Sequence, residues 1–345
     1  MYDKMHFIVM AMRCKTGGRF LCLILVFLLT LMPLGGCADE QLGTQVSETR
    51  LLLDTFCSIT AHGDFVAEEL EAIVDDAFNY VAELEKLFSI TRDGSDVWRI
   101  NNARGEPVVV DERTIEVIRA GLEFGELSDG MFDITIGRVS RLWDFNIPLH
   151  SELEEALATV DYRQVVIDGS TVQLKNPDAW IDLGAIAKGY IAYKVAEFLA
   201  ASDVSGALVD LGGDVVAVGN RRDGSPWRIA LRDPFSRQGE WIGVIEVSWA
   251  SVLGSGTYER QFELDGVSYH HIIDPRIGMP VDTDVVSAIV ITETAMVGEG
   301  LSTLAVLLGS DGVSELFERF HGFIGAVLVL DNGEWLEFGD VRFCS

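Results

Sequence analysis

Residues 182–190, DLGAIAKGY, place an acid, a run of small residues and a lysine in one short segment. The apolar Trp180 and Ile181 come just before it. This order predicts a strand over 178–183, a tight turn, and a helix over 187–201. A helix start presents unpaired N–H groups and the positive end of the dipole, a setting that favours anions. Lys188 adds a full positive charge. Asp182 has the wrong sign for a phosphate, so it must meet a metal, a base edge or a hydroxyl. The plain alternative is a strand-to-helix turn with a surface lysine.

Four other segments hold residue types that packing alone does not require. In Gly130-Met131-Phe132-Asp133-Ile134-Thr135-Ile136 a polar pair sits among apolar residues, as in a loop lining a mixed pocket. Leu142-Trp143-Asp144-Phe145 follows and could supply an aromatic platform for a planar ligand; a turn with a satisfied Asp133 would look the same. Leu211-Gly212-Gly213-Asp214 ends an apolar strand, and paired glycines allow close backbone approach, although such turns are common. Tyr269 to Arg276 (YHHIIDPR) gathers two of the six histidines with an acid and an arginine. Histidine is the natural base near neutral pH. Glu299 and Thr303 lie four apart and share one helical face, where a carboxylate and a hydroxyl can hold a hard cation; a local hydrogen bond between them is the simpler reading.

The elements that would position these groups are legible in outline. Residues 50–61 read as a strand. Residues 66–88 repeat apolar side chains at helical spacing, from Val66 and Leu70 through Leu84 and Leu87. Helices are expected over 112–128, 151–159, 297–309 and 312–320. Strands are expected over 164–168, 172–175, 284–292 and 323–330, with three more between 206 and 256. A hairpin with Asp265-Gly266 at its turn spans 261–274. Helices alternating irregularly with antiparallel strands give an α+β class, with a mixed, largely antiparallel sheet, flanking helices and room for two lobes.

Composition sets the outer limits. Arg13, Lys15 and Arg19 precede the apolar run Phe20–Leu34, which is too short for a typical spanning helix. It ends at Leu34-Gly35-Gly36-Cys37, the small-residue context of a lipoprotein cleavage site. We therefore expect a signal peptide over 1–36, a lipid on Cys37, a polar tether over 37–49 and one functional domain over 50–340. Acyl chains on Cys37 would anchor the protein to a membrane. Of 345 residues, 309 would remain. The formal charge is −28, and the leader's four basic residues and one acid leave the remainder near −31. No basic patch suggests nucleic-acid binding. An acidic body would also oppose a phosphate ligand unless a metal ion were present. Of the five cysteines, Cys57 and Cys344 remain after Cys14, Cys22 and Cys37 are set aside, either as a disulfide or as two thiols.

FDITI, DLGAIAKGY, LGGD, SGTYER, HIIDP with Gly278 and Pro280, and the LST helix occur in one order between about Leu53 and Gly309. Together they resemble the ApbE family of FAD:protein FMN transferases. The resemblance implies that FAD and Mg2+ bind, and that the FMN half of FAD passes to a Ser or Thr hydroxyl of a partner flavoprotein, leaving AMP. It implies flavin-nucleotide contacts from Leu53, Met131, Phe132, Asp133, Asp182, Lys188 and Ile273. The metal ligands it implies are the Ala185 carbonyl, Glu299 and Thr303, with His271 in proton transfer. It also implies an exported lipoprotein facing the extracytoplasmic side of a bacterial cell membrane, with an exported acceptor belonging to a membrane redox complex. Three positions depart from the pattern: Glu299 replaces an aspartate, Leu53-Asp54-Thr55 replaces Met-Gly-Thr, and Gly254 replaces a threonine. An FAD pyrophosphatase using the same site, and a flavin-storing lipoprotein without chemistry, remain open from the residues alone.

Overall fold

The computed structural model describes residues 43–143, 147–236, 240–264 and 266–344. Cys37 and the leader lie outside the described residues, as do Asp144, Phe145 and the turn residue Asp265. From Gly43 onward the chain packs as one unit, so a second lobe is not found among the described residues.

Its frame is an eight-stranded sheet whose spatial order follows the chain. The strands are β1 (Thr44–Leu52), β2 (Thr55–Gly63), β3 (Gly206–Leu211), β4 (Asp214–Gly219), β5 (Ala250–Gly256), β6 (Val285–Thr292), β7 (Phe323–Leu330) and β8 (Trp335–Gly339). Every neighbouring pair is antiparallel. The connections β1–β2, β3–β4 and β5–β6 therefore leave from the same end of the sheet. Four longer helices fill the insertions: α1 (Ala67–Phe88), α2 (Glu112–Leu127), α3 (Ala187–Ala201) and α4 (Ala295–Gly312). In α1, Leu70, Val74, Ala77, Phe78, Val81, Leu84 and Phe88 are buried, which is the stripe that its sequence period demands. The main core lies between the helices and one sheet face, and includes Ile59, Val209, Val216 and Leu253. A hairpin of Trp227–Arg232 and Trp241–Val247 shares a second core with Val215, Val252, Ile289 and Val327.

Several expectations need correction. The single strand over 50–61 is a hairpin, because Leu53 and Asp54 both take left-handed φ values of 54° and 56° and turn the chain. The tether expected over 37–49 is in part β1, whose backbone pairs with β2 from Thr44 onward. Residues 178–183 form no regular strand; only Trp180 bridges, in parallel, to Ile136. The buried Asn101 amide replaces a neighbouring strand there. It accepts from the Ile181 N–H at 2.7 Å and donates to the Ile181 carbonyl at 2.9 Å. The helix expected over 297–309 runs to Gly312 with a break at Gly309, where φ is 71°, and the next one is only Ser314–Phe317. Cys57 and Cys344 are free thiols, and Cys57 is fully buried.

The helix layer is close-packed around Phe124, which lies against Phe132 and stacks on Phe320 with ring centroids 5.2 and 4.7 Å away. A methyl group on Gly300 would fall 2.4 Å from the Phe124 Cζ. With rings on two sides, Phe124 has little room to yield. Gly300→Ala should therefore destabilise the fold by about 1–3 kcal/mol despite the better helix propensity of alanine. Thermal unfolding of the two proteins checks this, and an unchanged or raised Tm would show that the layer yields.

Candidate active site

The segment 182–190 builds a turn before it builds a helix. The Asp182 N–H donates to the Ile134 carbonyl at 2.8 Å. Its carboxylate accepts from the Gly184 N–H at 2.9 Å and from the Ser140 hydroxyl at 2.7 Å. Leu183 and Ile186 are buried, which fixes the direction of α3. The side chain of its N-cap residue, Ile186, satisfies none of the first-turn donors. Instead the Gly189 N–H donates to the Glu299 carboxylate, supplied from α4. An acid at that position also meets the positive end of the α3 dipole. Glycine is required at 189: a Cβ there would lie 2.6 Å from both the Ala295 carbonyl oxygen and Glu299 Oε2.

Lys188 pairs with Asp214, which is only 2% exposed and also accepts from the Gly254 N–H at 3.3 Å. Burial works against the lysine's charge, but Asp214, Glu299 and Glu259 outweigh it and raise its pKa above the ordinary value. Burial raises the Glu299 pKa and Asp214 adds to the rise, while Lys188 and the Gly189 N–H oppose it. Glu259 has its pKa raised by partial burial, against the pull of Lys188. Three carboxylates thus surround one ammonium. The motif reading does not single out Asp214 or Glu259. Both lie inside recognised segments, LGGD and SGTYER, but the first of these draws attention through its glycines.

The residues expected to hold Mg2+ can be judged by their oxygens. Among the described residues, no cluster of three His, Cys, Asp or Glu side chains could hold a metal. A set made of a carbonyl, a hydroxyl and one carboxylate is of a different kind, and it is the hard-oxygen set that Mg2+ takes. Glu299 is buried, and Thr303 follows one turn later on α4. The Thr303 hydroxyl lies 3.2 Å from Ser255 Oγ, which is also 2.8 Å from Ser302 Oγ. In a regular helix the Gly189 N–H would serve the Ala185 carbonyl; here it serves Glu299, which releases that carbonyl from the helical ladder. The surplus negative charge and these oxygens fit a divalent cation.

The other predicted residues divide. The Asp133 carboxylate is satisfied by protein donors, accepting from the Thr135 N–H at 2.7 Å and the Thr135 hydroxyl at 2.5 Å in its own loop and from the Tyr162 N–H at 2.9 Å, 29 positions away. Met131 and Phe132 are buried in the main core. Trp143 stacks on Tyr269 at 5.7 Å and donates to the Gly278 carbonyl at 2.7 Å. Ile273 is buried in the same small cluster as Trp143. Leu53 is half-buried at the β1–β2 turn, and its N–H donates to Glu85 at 3.1 Å. His270 is held at both ring nitrogens: Nε2 donates to the Val281 carbonyl at 3.1 Å and Nδ1 accepts from the Ile272 N–H at 3.3 Å. His271 keeps a solvent-accessible face. Partial burial, followed by the charges of Arg260 and His270, pushes its pKa down to about 4, so the imidazole is neutral at pH 7.

Comparison with known proteins gives a consistent result. The family model described as the ApbE family matches residues 53–328. An FAD:protein FMN transferase of Treponema pallidum is 33% identical, covering 86% of this chain and 88% of that protein. One from Klebsiella pneumoniae is 35% identical, covering 76% and 83%. The crystal structure of an ApbE protein from Thermotoga maritima superposes with a TM-score of 0.79 at 33% identity, over 86% of this chain and 97% of the other. A flavin transferase ApbE from Vibrio cholerae gives 0.77 at 26% identity, over 87% and 97%.

The depressed His271 pKa has a consequence for stability. The ordinary value is 6.5, so the unfolded chain takes up a proton below that pH while the folded one resists down to about 4. The contribution of His271 is therefore complete above pH 6.5 and is lost progressively as pH falls from there to about 4. His271→Gln should show a smaller drop in Tm than the parent between about pH 7 and pH 4. Parallel pH–Tm curves for the two proteins would show that the histidine titrates normally.

Proposed function

The chain belongs to the ApbE family of FAD:protein FMN transferases, and on that premise we propose that it uses Mg2+ and releases AMP as it transfers FMN from FAD to a Ser or Thr hydroxyl of a flavoprotein. The observation that carries this reading is the convergence of Lys188, Asp214 and Glu299 at the first turn of α3, beside oxygens suited to a hard cation. The acceptor oxygen attacks the phosphorus on the FMN side of the pyrophosphate. The bond to the AMP phosphate breaks, and the flavin is left on a phosphoester. AMP departs with the bridging oxygen.

Each side chain has a task in that reaction. Lys188 places positive charge against the pyrophosphate, and Asp214 holds the ammonium in position. The Ala185 carbonyl, Glu299 and Thr303 would hold Mg2+, which when bound neutralises phosphate charge and aligns the reacting groups. His271, neutral at pH 7, takes the proton of the attacking hydroxyl. Asp182 orients the turn that precedes Lys188, through Gly184 and Ser140. Leu53, Ile273 and the 131–133 loop form the flavin side of this reading. Asp133 there acts by holding the loop, and Met131 and Phe132 by packing beneath it.

The leader sequence extends the proposal to location. Cys37 would carry the lipid, including palmitate, and the enzyme would work outside the cytoplasm on an exported acceptor of a membrane redox complex. The test is a mixed assay with FAD, Mg2+ and membranes containing unmodified acceptors. Covalent flavin fluorescence on a denatured protein band, with AMP released in equal amount, is the expected result. FMN found only free in solution would identify a pyrophosphatase, and retained FAD without AMP would identify a storage protein.

Glu299→Gln tests the metal reading, because it keeps an oxygen to accept from Gly189 but removes the charge. Mg2+-dependent transfer should fall by on the order of 100-fold. FAD binding, followed by flavin fluorescence, should change much less. Unchanged transfer would remove Glu299 from the metal site.

A further inference from the structure

Three hydroxyls meet where β5 packs against α4, and the reaction as described uses only one of them. Ser255 lies on β5 opposite Ala288 of β6. Ser302 and Thr303 are neighbours on α4. The two elements are pressed together about one turn earlier on the helix. A Cβ on Gly298 would fall 2.7 Å from Leu253 Cδ2 and 2.6 Å from the Thr292 hydroxyl oxygen, so close packing sets the distance between β5 and α4. Ser302 is fully buried, while Ser255 and Thr303 are half-buried. A hydroxyl has one proton to donate and two lone pairs with which to accept. That rule gives each bond in the cluster a direction. The Ser302 hydroxyl donates to the Glu299 carbonyl at 2.9 Å, because a carbonyl can only accept. With its proton used, Ser302 accepts from Ser255 at 2.8 Å. The Ser255 proton is then used as well, so the 3.2 Å contact with Thr303 is a hydrogen bond in which Thr303 donates. The chain of donation runs from Thr303 through Ser255 and Ser302 to the Glu299 carbonyl.

We propose that Ser255 is a positioning residue for the metal: it accepts the Thr303 proton and so leaves the lone pairs of that hydroxyl to Mg2+. The inference rests on the metal reading given above. A cation is held by oxygen lone pairs and repels a hydroxyl proton turned toward it. Without an acceptor on β5, the Thr303 hydroxyl would rotate and present its proton to the cation part of the time. Donation along the chain also polarises the Thr303 oxygen and makes it a better ligand. Ser302 anchors the direction, because its own proton is committed to a backbone carbonyl of the helix that carries Glu299. Partners that orient a metal ligand in this way typically change metal affinity by about 10–100-fold. The serine of SGTYER thereby acts on the metal from a neighbouring strand, through a ligand it does not replace.

The test uses the full-length protein in detergent, stripped of metal with EDTA, with AMP at saturation so that no turnover occurs. Mg2+ affinity is read from the rise in Tm across a Mg2+ titration, and the Tm before Mg2+ is added is the control for folding. Ser255→Ala should weaken Mg2+ binding by about tenfold or more. Thr303→Val should weaken it too, and adding Ser255→Ala to that variant should cost less than about twofold further, because no proton remains to be oriented. In transfer assays of Ser255→Ala the Mg2+ concentration for half-maximal rate should rise by about tenfold, with the rate at saturating Mg2+ within about threefold. Unchanged Mg2+ affinity in Ser255→Ala overturns the proposal, and a loss in Glu299→Gln beside it would leave the metal site itself standing. Fully additive losses in the double variant also overturn it, since Ser255 would then act independently of Thr303. Should Ser255→Ala fail to fold, Ser302→Ala serves in its place. It removes the acceptor of the Ser255 proton, which can then turn to Thr303 and compete with the metal, so Mg2+ binding should again weaken; an unchanged affinity overturns the proposal. If the parent protein shows no rise in Tm with Mg2+, the metal reading fails first, and the role of Ser255 falls with it.

Discussion

The contact on which the site depends is the hydrogen bond from the Gly189 N–H to the Glu299 carboxylate. It joins the start of α3 to the first turns of α4 at a separation that excludes any side chain at 189. A buried carboxylate is costly unless it is paired and hydrogen-bonded. Here the backbone donor and the charge of Lys188 offset part of that cost. The compensation is incomplete, because Asp214 and Glu259 share the same lysine. The site is thus left with surplus negative charge at a place where a helix dipole favours anions. Under the proposed function a bound cation would offset this charge against the phosphates of the nucleotide.

The sheet explains how segments so far apart in the chain reach this point. Sequential antiparallel order sends alternate connections to one end. The β1–β2 turn, the LGGD turn and the end of β5 meet there, and the register places Val252 opposite Val215, two residues short of Gly254. The long insertion between β2 and β3 then returns α3 across one face, with Lys188 at its start. The insertion between β6 and β7 returns α4 beside it. The large distances in sequence are the lengths of insertions in a simple meander.

The same architecture decides which parts are legible in the sequence. Regular periodicity locates α1 and α2 within a residue or so, because burial of one face dictates those patterns; β7 is legible instead as a continuous apolar run and α3 by the turn residues before it. The segment 178–183 misleads because its backbone partners are the Asn101 side chain and the 134–137 loop, and neither leaves a periodic trace. The hairpin at Leu53-Asp54 is hidden because the pair is not a usual turn sequence. The resemblance implies a nucleotide contact for Asp133 while composition leaves a satisfied turn equally open; in the fold its carboxylate accepts two bonds from Thr135 and one from the distant Tyr162. Asp214 escapes because its partner Lys188 is 26 positions away, and only the fold joins them.

The adjacent histidines extend this division to chemistry. Residue type cannot distinguish His270 from His271. The fold does, by giving both nitrogens of His270 to the backbone and leaving His271 partly buried, with one accessible face, beside Arg260. In so acidic a chain the general field should raise histidine pKa values and favour imidazolium. Local burial and the arginine reverse that tendency at His271. A proton acceptor must be neutral before it can act; burial first, with the Arg260 charge adding to it, keeps His271 in that form while the carboxylates of the same site hold the lysine charged. One site can sustain both states because each charge is set by its immediate neighbours and not by the protein's net charge.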